Sequence, residues 1–122
     1  MNRFVMSLGS NSVDRHEQMA AAIDAVSSLL NVSRRSPVYE TKPWGGGDNL
    51  YLNCVIAGET SMNFEQVNAF AKDWERQSGR DEAAKKAGIV PIDIDIVIWN
   101  DDVLRQKELE RDYFMRGYRL IF

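Results

Sequence analysis

The chain has 122 residues, 44% hydrophobic and 27% charged, with a formal net charge of −3, which suits a soluble protein with one core. The acidic balance argues against a general nucleic-acid binder, and no stretch approaches the roughly 18 apolar residues of a membrane span. With one cysteine, Cys54, and one histidine, His16, there is no intramolecular disulfide, zinc cluster or Cys/His nucleophile pair.

Residues 3–8 form a short apolar run that ends at Gly9-Ser10-Asn11, which reads as a buried strand entering a turn. The opening residues turn polar too soon for a signal peptide, and together with the lone cysteine this predicts a cytoplasmic protein. Asp14 offers a helix N-cap with Glu17 three residues on. Met19, Ile23, Val26 and Leu30 then follow at helical spacing, predicting an amphipathic helix over 15–30. Residues 32–41 suit a strand interrupted by Pro37. The segment Pro43-Trp44-Gly45-Gly46-Gly47-Asp48 reads as a loop, because successive glycines lose too much entropy in a regular element.

Residues 50–58 alternate as a strand, with Leu52, Cys54 and Ile56 on one face and Tyr51, Asn53 and Val55 on the other. A second helix is expected over 64–78, capped by Asn63 and stopped by Gly79. Residues 80–91 read as a mobile, mixed-charge loop. Ile92, Ile94, Ile96 and Ile98 then alternate with Asp93, Asp95, Val97 and Trp99, the period of a strand with one greasy face. After the turn Asn100-Asp101-Asp102 the pattern is too weak to assign an element. The order strand, helix, strand, strand, helix, strand predicts one α+β domain over residues 1–122. Its expected form is a ferredoxin-like (split βαβ) antiparallel sheet with both helices on one face. The other face and its loops would be free to build a site.

Two residues apart on a strand, the Asp93 and Asp95 carboxylates point the same way, about 7 Å apart. Such a pair suits Mg²⁺, which takes carboxylate oxygens and shares its remaining positions with water and phosphate. The same pair also suits the solvated polar face of a half-buried strand. Tyr51 and Asn53 share a strand face beside the loop holding Trp44, and an aromatic with an amide can hold a flat heterocycle. Packing by Tyr51 and loop support by Asn53 is the plainer reading. His16 reads as a surface helix residue and Cys54 as a buried small hydrophobe.

Taken in order, Leu8-Gly9-Ser10-Asn11, Tyr39-Glu40-Thr41-Lys42-Pro43, Tyr51-Leu52-Asn53, Gly79-Arg80 and Ile92-Asp93-Ile94-Asp95-Ile96 resemble the 6-hydroxymethyl-7,8-dihydropterin pyrophosphokinase family over about residues 3–104. The resemblance implies transfer of pyrophosphate from ATP to the pterin hydroxymethyl group, giving AMP, in folate biosynthesis. It implies two Mg²⁺ ions on Asp93 and Asp95, with Arg80 as a further catalytic residue. It places Thr41, Pro43, Trp44, Tyr51, Asn53 and the lid aromatic Tyr118 around the pterin. Glu75, Arg80, Lys86 and Ile96 fall on the nucleotide side. Small-molecule substrates are implied, with no nucleic acid or membrane.

The departures from the family pattern fall on the nucleotide side. Glu82 and Val90 stand where the family has arginines, Lys86 replaces another, and Ala87 replaces a tryptophan. Glu108 replaces one more arginine, residues 105–115 lack the family's Pro-His pair, and the sequence ends earlier than the family pattern. Each lost guanidinium–phosphate bond removes about 1.5–3 kcal/mol, so weakened ATP handling is expected. A non-catalytic pterin-binding relative is the alternative.

Overall fold

The computed structural model describes residues 1–43 and 49–122. Strand β1 (Asn2–Ser10) is central, flanked antiparallel by β4 (Tyr51–Thr60) and β5 (Asp93–Trp99). Strands β2 (Asn31–Arg35) and β3 (Tyr39–Thr41) pair antiparallel with successive parts of β4, and β6 (Asp102–Val103) pairs with the far end of β5. The resulting order β2-β4-β1-β5-β6 is the ferredoxin-like arrangement that the element order predicts. The expected strand over 32–41 is split at Ser36-Pro37-Val38, where proline has no N–H to give a ladder. Ser36 keeps the break attached: its N–H donates to the Val55 carbonyl and its hydroxyl accepts the Val55 N–H, both at 2.9 Å.

Helices α1 (Arg15–Leu29) and α2 (Phe64–Gln77) cover one face of the sheet. Met19, Ala22 and Val26 from α1 and Val67 and Ala71 from α2 meet Leu8, Cys54, Ile56 and Ile94 in a fully closed core. Burying each large aliphatic side chain here contributes roughly 1.5–3 kcal/mol. The α2 start is as expected: Asn63 accepts the Gln66 N–H at 2.8 Å while Gln66 accepts the Asn63 N–H at 2.9 Å. At α1 the expected capping box does not form. The Asp14 carboxylate instead accepts the Ser12 hydroxyl at 2.6 Å and the Gln18 amide at 3.3 Å.

The opposite face is not free, contrary to the expectation. Helix α4 (Asp112–Ile121) lies on it, burying Phe114 against Val5, Val55, Ala57 and Val97. The signal was present in the sequence, since Phe114, Gly117, Tyr118 and Ile121 fall at helical spacing. Gly117 lets the helix sit close, because a Cβ there would stand 2.6 Å from both Tyr39 Oη and Val55 Cγ2. The Tyr39 hydroxyl fastens the contact by accepting the Gly117 N–H at 3.1 Å and donating to the Tyr113 carbonyl. Residues 80–91 are also more ordered than expected. They contain helix α3 (Glu82–Lys86), capped by Asp81, whose carboxylate accepts the Ala84 N–H at 2.9 Å. No helix among the described residues is long and apolar enough to cross a membrane.

Candidate active site

The site begins with how α2 ends. Gly79 takes a positive φ of 100°, and the N–H groups of Gly79 and Arg80 return to the carbonyls of Arg76 and Glu75, each at 3.3 Å. This left-handed stop needs glycine and closes the last helical turn. It folds Arg80 back beside Glu75, and the two side chains meet at 3.1 Å. The Arg80 guanidinium also reaches Asp93 at 2.6 Å. Glu75 itself accepts the backbone N–H of Ile94 at 2.8 Å, so the carboxylate closes over the outer edge of β5.

Glu75, Asp93 and Asp95 therefore converge, each offering a carboxylate oxygen within 4.8 Å of the others. The pairing of Asp93 with Asp95 follows from strand alternation. Glu75, which sequence reasoning reached only by resemblance, joins them through the packing of α2 against β5. Asp95 is buried, with Arg105, at the start of the 3-10 turn Gln106–Glu110, against its carboxylate. Arg105 stands 3.5 Å from Asp95 and 3.7 Å from Glu108, and Lys72 stands 3.4 Å from Glu75.

The electrostatics separate the two aspartates. Burial, then the charge and hydrogen bonding of Asp93, push the Asp95 carboxyl up to about 8. Burial acts on Asp93 in the same direction, but the hydrogen bonds from Asp95 and Arg80 outweigh it and hold Asp93 below the ordinary range. Burial also raises Glu75, against the bond it accepts from Ile94. The pair thus shares one proton when no cation is present, as adjacent buried carboxylates do. An all-oxygen donor set of three carboxylates fits a hard divalent cation, whose binding would expel that proton.

A cleft of about 810 Å³ opens beside this cluster, lined by Tyr51, Lys72, Glu75, Arg76, Arg80, Asp81, Glu82, Lys85 and residues 88–90. Lys72 and Arg76, one helical turn apart on α2, were missed in the sequence, although i,i+4 spacing marks them as sharing a face. Asn11, part of a turn and of the first motif of the resemblance, holds the cleft wall. Its side chain donates to the Gly88 carbonyl at 3.0 Å and accepts the Val90 N–H at 2.6 Å.

Tyr51 lines this cleft and pairs with Thr41 on the neighbouring strand. The Tyr51 hydroxyl is shifted upward by burial and by the Asp93 charge, with Arg80 opposing. Asn53 is buried and donates to the Thr41 hydroxyl at 2.6 Å. Thr41 and Pro43 line a neighbouring recess of about 500 Å³ with Leu50, Tyr113 and Arg116. The structure thus brings Thr41, Pro43, Tyr51, Asn53, Glu75, Arg80, Asp93 and Asp95 to one end of the sheet. Trp44 lies outside the described residues.

Three other residues named from the sequence are not among those lining the cleft or forming the acidic cluster. Ile96 is a core residue, so it could offer a ligand only its backbone, and Lys86 is exposed on α3. Tyr118 stacks between Phe114 and Phe122, with ring centres 5.5 and 4.8 Å away. It lines a recess with Val5 and Ala57, whereas Asn53 pairs with Gly9, four residues further along β1. That is about 13 Å of strand, so the apolar stripe of α4 holds Tyr118 away from Tyr51. Of the acidic replacements, Glu82 faces the cleft, while Glu108 is nearly buried and accepts the Tyr113 hydroxyl.

Comparison with known proteins agrees with this arrangement. Residues 5–121 match the family described as 7,8-dihydro-6-hydroxymethylpterin-pyrophosphokinase. A 2-amino-4-hydroxy-6-hydroxymethyldihydropteridine pyrophosphokinase of Aquifex aeolicus is 34% identical over 119 residues, covering 90% of this chain and 74% of that protein. The Porphyromonas gingivalis protein of the same name is 36% identical, covering 76% of this chain and 66% of its own length. That of Mycobacterium bovis is 32% identical, covering 80% and 51%. With a match across nearly its whole length and the acidic cluster and cleft in place, the chain belongs to the 7,8-dihydro-6-hydroxymethylpterin-pyrophosphokinase family.

Proposed function

We propose that this protein transfers pyrophosphate from ATP to the hydroxymethyl group of 6-hydroxymethyl-7,8-dihydropterin, giving AMP and the pterin pyrophosphate. The observation that carries the reading is the convergence of Glu75, Asp93 and Asp95, with Glu75 also lining a cleft that presents Lys72, Arg76, Arg80 and Lys85. Cations and carboxylates in one cleft suit a polyphosphate delivered with a divalent metal. Asp93 and Asp95 would hold two Mg²⁺ ions, with Glu75 as a neighbouring donor. Bound there, Mg²⁺ neutralises charge on the phosphate oxygens during transfer.

The chain's own residues supply position and field. Tyr51 offers a ring face beside Asp93, and Asn53, fixed by Thr41, directs an amide toward a flat heterocycle. Arg80, set by the stop of α2 beside Glu75 and Asp93, would place a guanidinium against the reacting phosphates. Lys85 and Lys86 on α3 bring further positive charge to the side where the family arginines are missing. An ATP-dependent step in folate synthesis also fits a cytoplasmic location.

Pterin-dependent AMP formation in Mg²⁺ tests the reading, with Asp95→Asn as the comparison. Wild-type turnover with a loss of at least about 100-fold in the variant, roughly 3 kcal/mol of transition-state stabilisation, is expected. No AMP above the variant's level would overturn it. Glu82 in the cleft favours one second reading, a pterin-binding relative without transfer. That reading predicts pterin binding that an ATP analogue does not strengthen.

A further inference from the structure

Arg105 has a role that neither the family match nor the sequence assigned. Its backbone is fixed: the N–H bonds the Val97 carbonyl at 3.4 Å, and its carbonyl takes the Glu108 N–H at 3.0 Å. Its side chain is held less closely. The guanidinium lies between two carboxylates, 3.5 Å from Asp95 and 3.7 Å from Glu108, and is 49% exposed. Both separations are ion-pair distances longer than a well-formed charge-assisted hydrogen bond. Arg80 differs, being closed on Asp93 at 2.6 Å. Glu108 keeps the Tyr113 hydroxyl as a second partner, so it stays in place when Arg105 turns away.

We infer that Arg105 is a movable counter-ion. It pairs with the carboxylate cluster through Asp95 while that cluster holds no divalent cation, and it swings to the nucleotide phosphates when it does. The inference rests on the pyrophosphokinase reading and deepens it. A divalent ion on an Asp95 oxygen sits about 2.1 Å from that oxygen, within a few ångströms of the guanidinium, and like charge drives the two apart. Phosphate oxygens arriving on the same metal fill that space and accept the guanidinium in a stronger, charge-assisted bond. Glu108 is then the anchor of a substitute cation. The charge it costs the nucleotide is returned one turn earlier in the chain, at Arg105.

The test compares wild type with Arg105→Met by calorimetry, using Mg²⁺ alone and then the Mg²⁺ complex of α,β-methylene-ATP. Removing a competing cation and a phosphate ligand moves the two affinities in opposite directions. Mg²⁺ alone binds about threefold to tenfold tighter, and the nucleotide complex about tenfold weaker or more. Arg105→Lys, which keeps the charge, recovers part of both. A purely structural residue would weaken both together, and that result, or no change in either, overturns the role of Arg105. If wild type binds neither probe and forms no AMP, the pyrophosphokinase reading itself falls.

Discussion

Replacing Asp95 by asparagine is expected to make the metal-free protein more stable at neutral pH, not less. Asp95 is buried beside Asp93, and its carboxyl is pushed up to about 8, whereas an aspartate in the unfolded chain titrates near 3.9. Between these values the folded protein carries a proton that the unfolded chain has released. Stability is then full below the unfolded value, falls as pH rises, and levels off above about 8. Asp93 is shifted the other way, so its stability contribution is lost only in stronger acid.

The slope for one retained proton is about 1.4 kcal/mol per pH unit, so the difference between pH 5 and pH 7 is a few kcal/mol. Against a total stability of roughly 5–15 kcal/mol this is readily measured. Asparagine matches the shape and cannot ionise, so Asp95→Asn should lack this slope and gain on wild type by about that amount across the interval. Urea unfolding in EDTA at each pH gives both curves, and added Mg²⁺ should raise the wild type selectively. Parallel curves for the two proteins would refute the shared-proton picture of the cluster.

Two further substitutions probe the frame around the site. Gly117→Ala gains about 1 kcal/mol of helix propensity but sets a Cβ 2.6 Å from Tyr39 Oη and Val55 Cγ2. Overpacking of about 1–3 kcal/mol should win, so a variant with a higher Tm would contradict the close seating of α4. Asn11→Ala removes both side-chain bonds to Gly88 and Val90, at about 1–3 kcal/mol. Hydrogen exchange at the Val90 amide should quicken strongly, and unchanged protection would show that the cleft wall is held by something else.

What the sequence disclosed was what depends on near neighbours. The Ile92–Ile98 alternation, the Asn63 cap and the Gly79 stop are local patterns, and the strand and helix they announced are present. The fold followed, since the order of elements leaves few ways to stack them. The site was legible only in part. Asp93 and Asp95 share a strand face by simple alternation, but Glu75 and Arg105 reach them through tertiary packing that no local spacing encodes. Helix α4 carried a readable stripe, weakened by Arg111, Arg116, Arg119 and a glycine on its inner face. The Asp14 box failed because Ser12, two residues earlier, offered the carboxylate a shorter-range partner.

The stop of α2 has a consequence for how this sequence can vary. A helix turns about 100° per residue, so one residue inserted between Asn63 and Glu75 would carry the Glu75 carboxylate round the axis and away from Ile94. The same insertion would turn Arg80 off Asp93, because the Gly79 closure ties it to the last turn. Residues 81–87, beyond that closure, carry no such angular burden and can be substituted or lengthened while the carboxylates stay in place. In this protein the length of α2 sets the placement of the carboxylates, while the length of the segment that follows it does not.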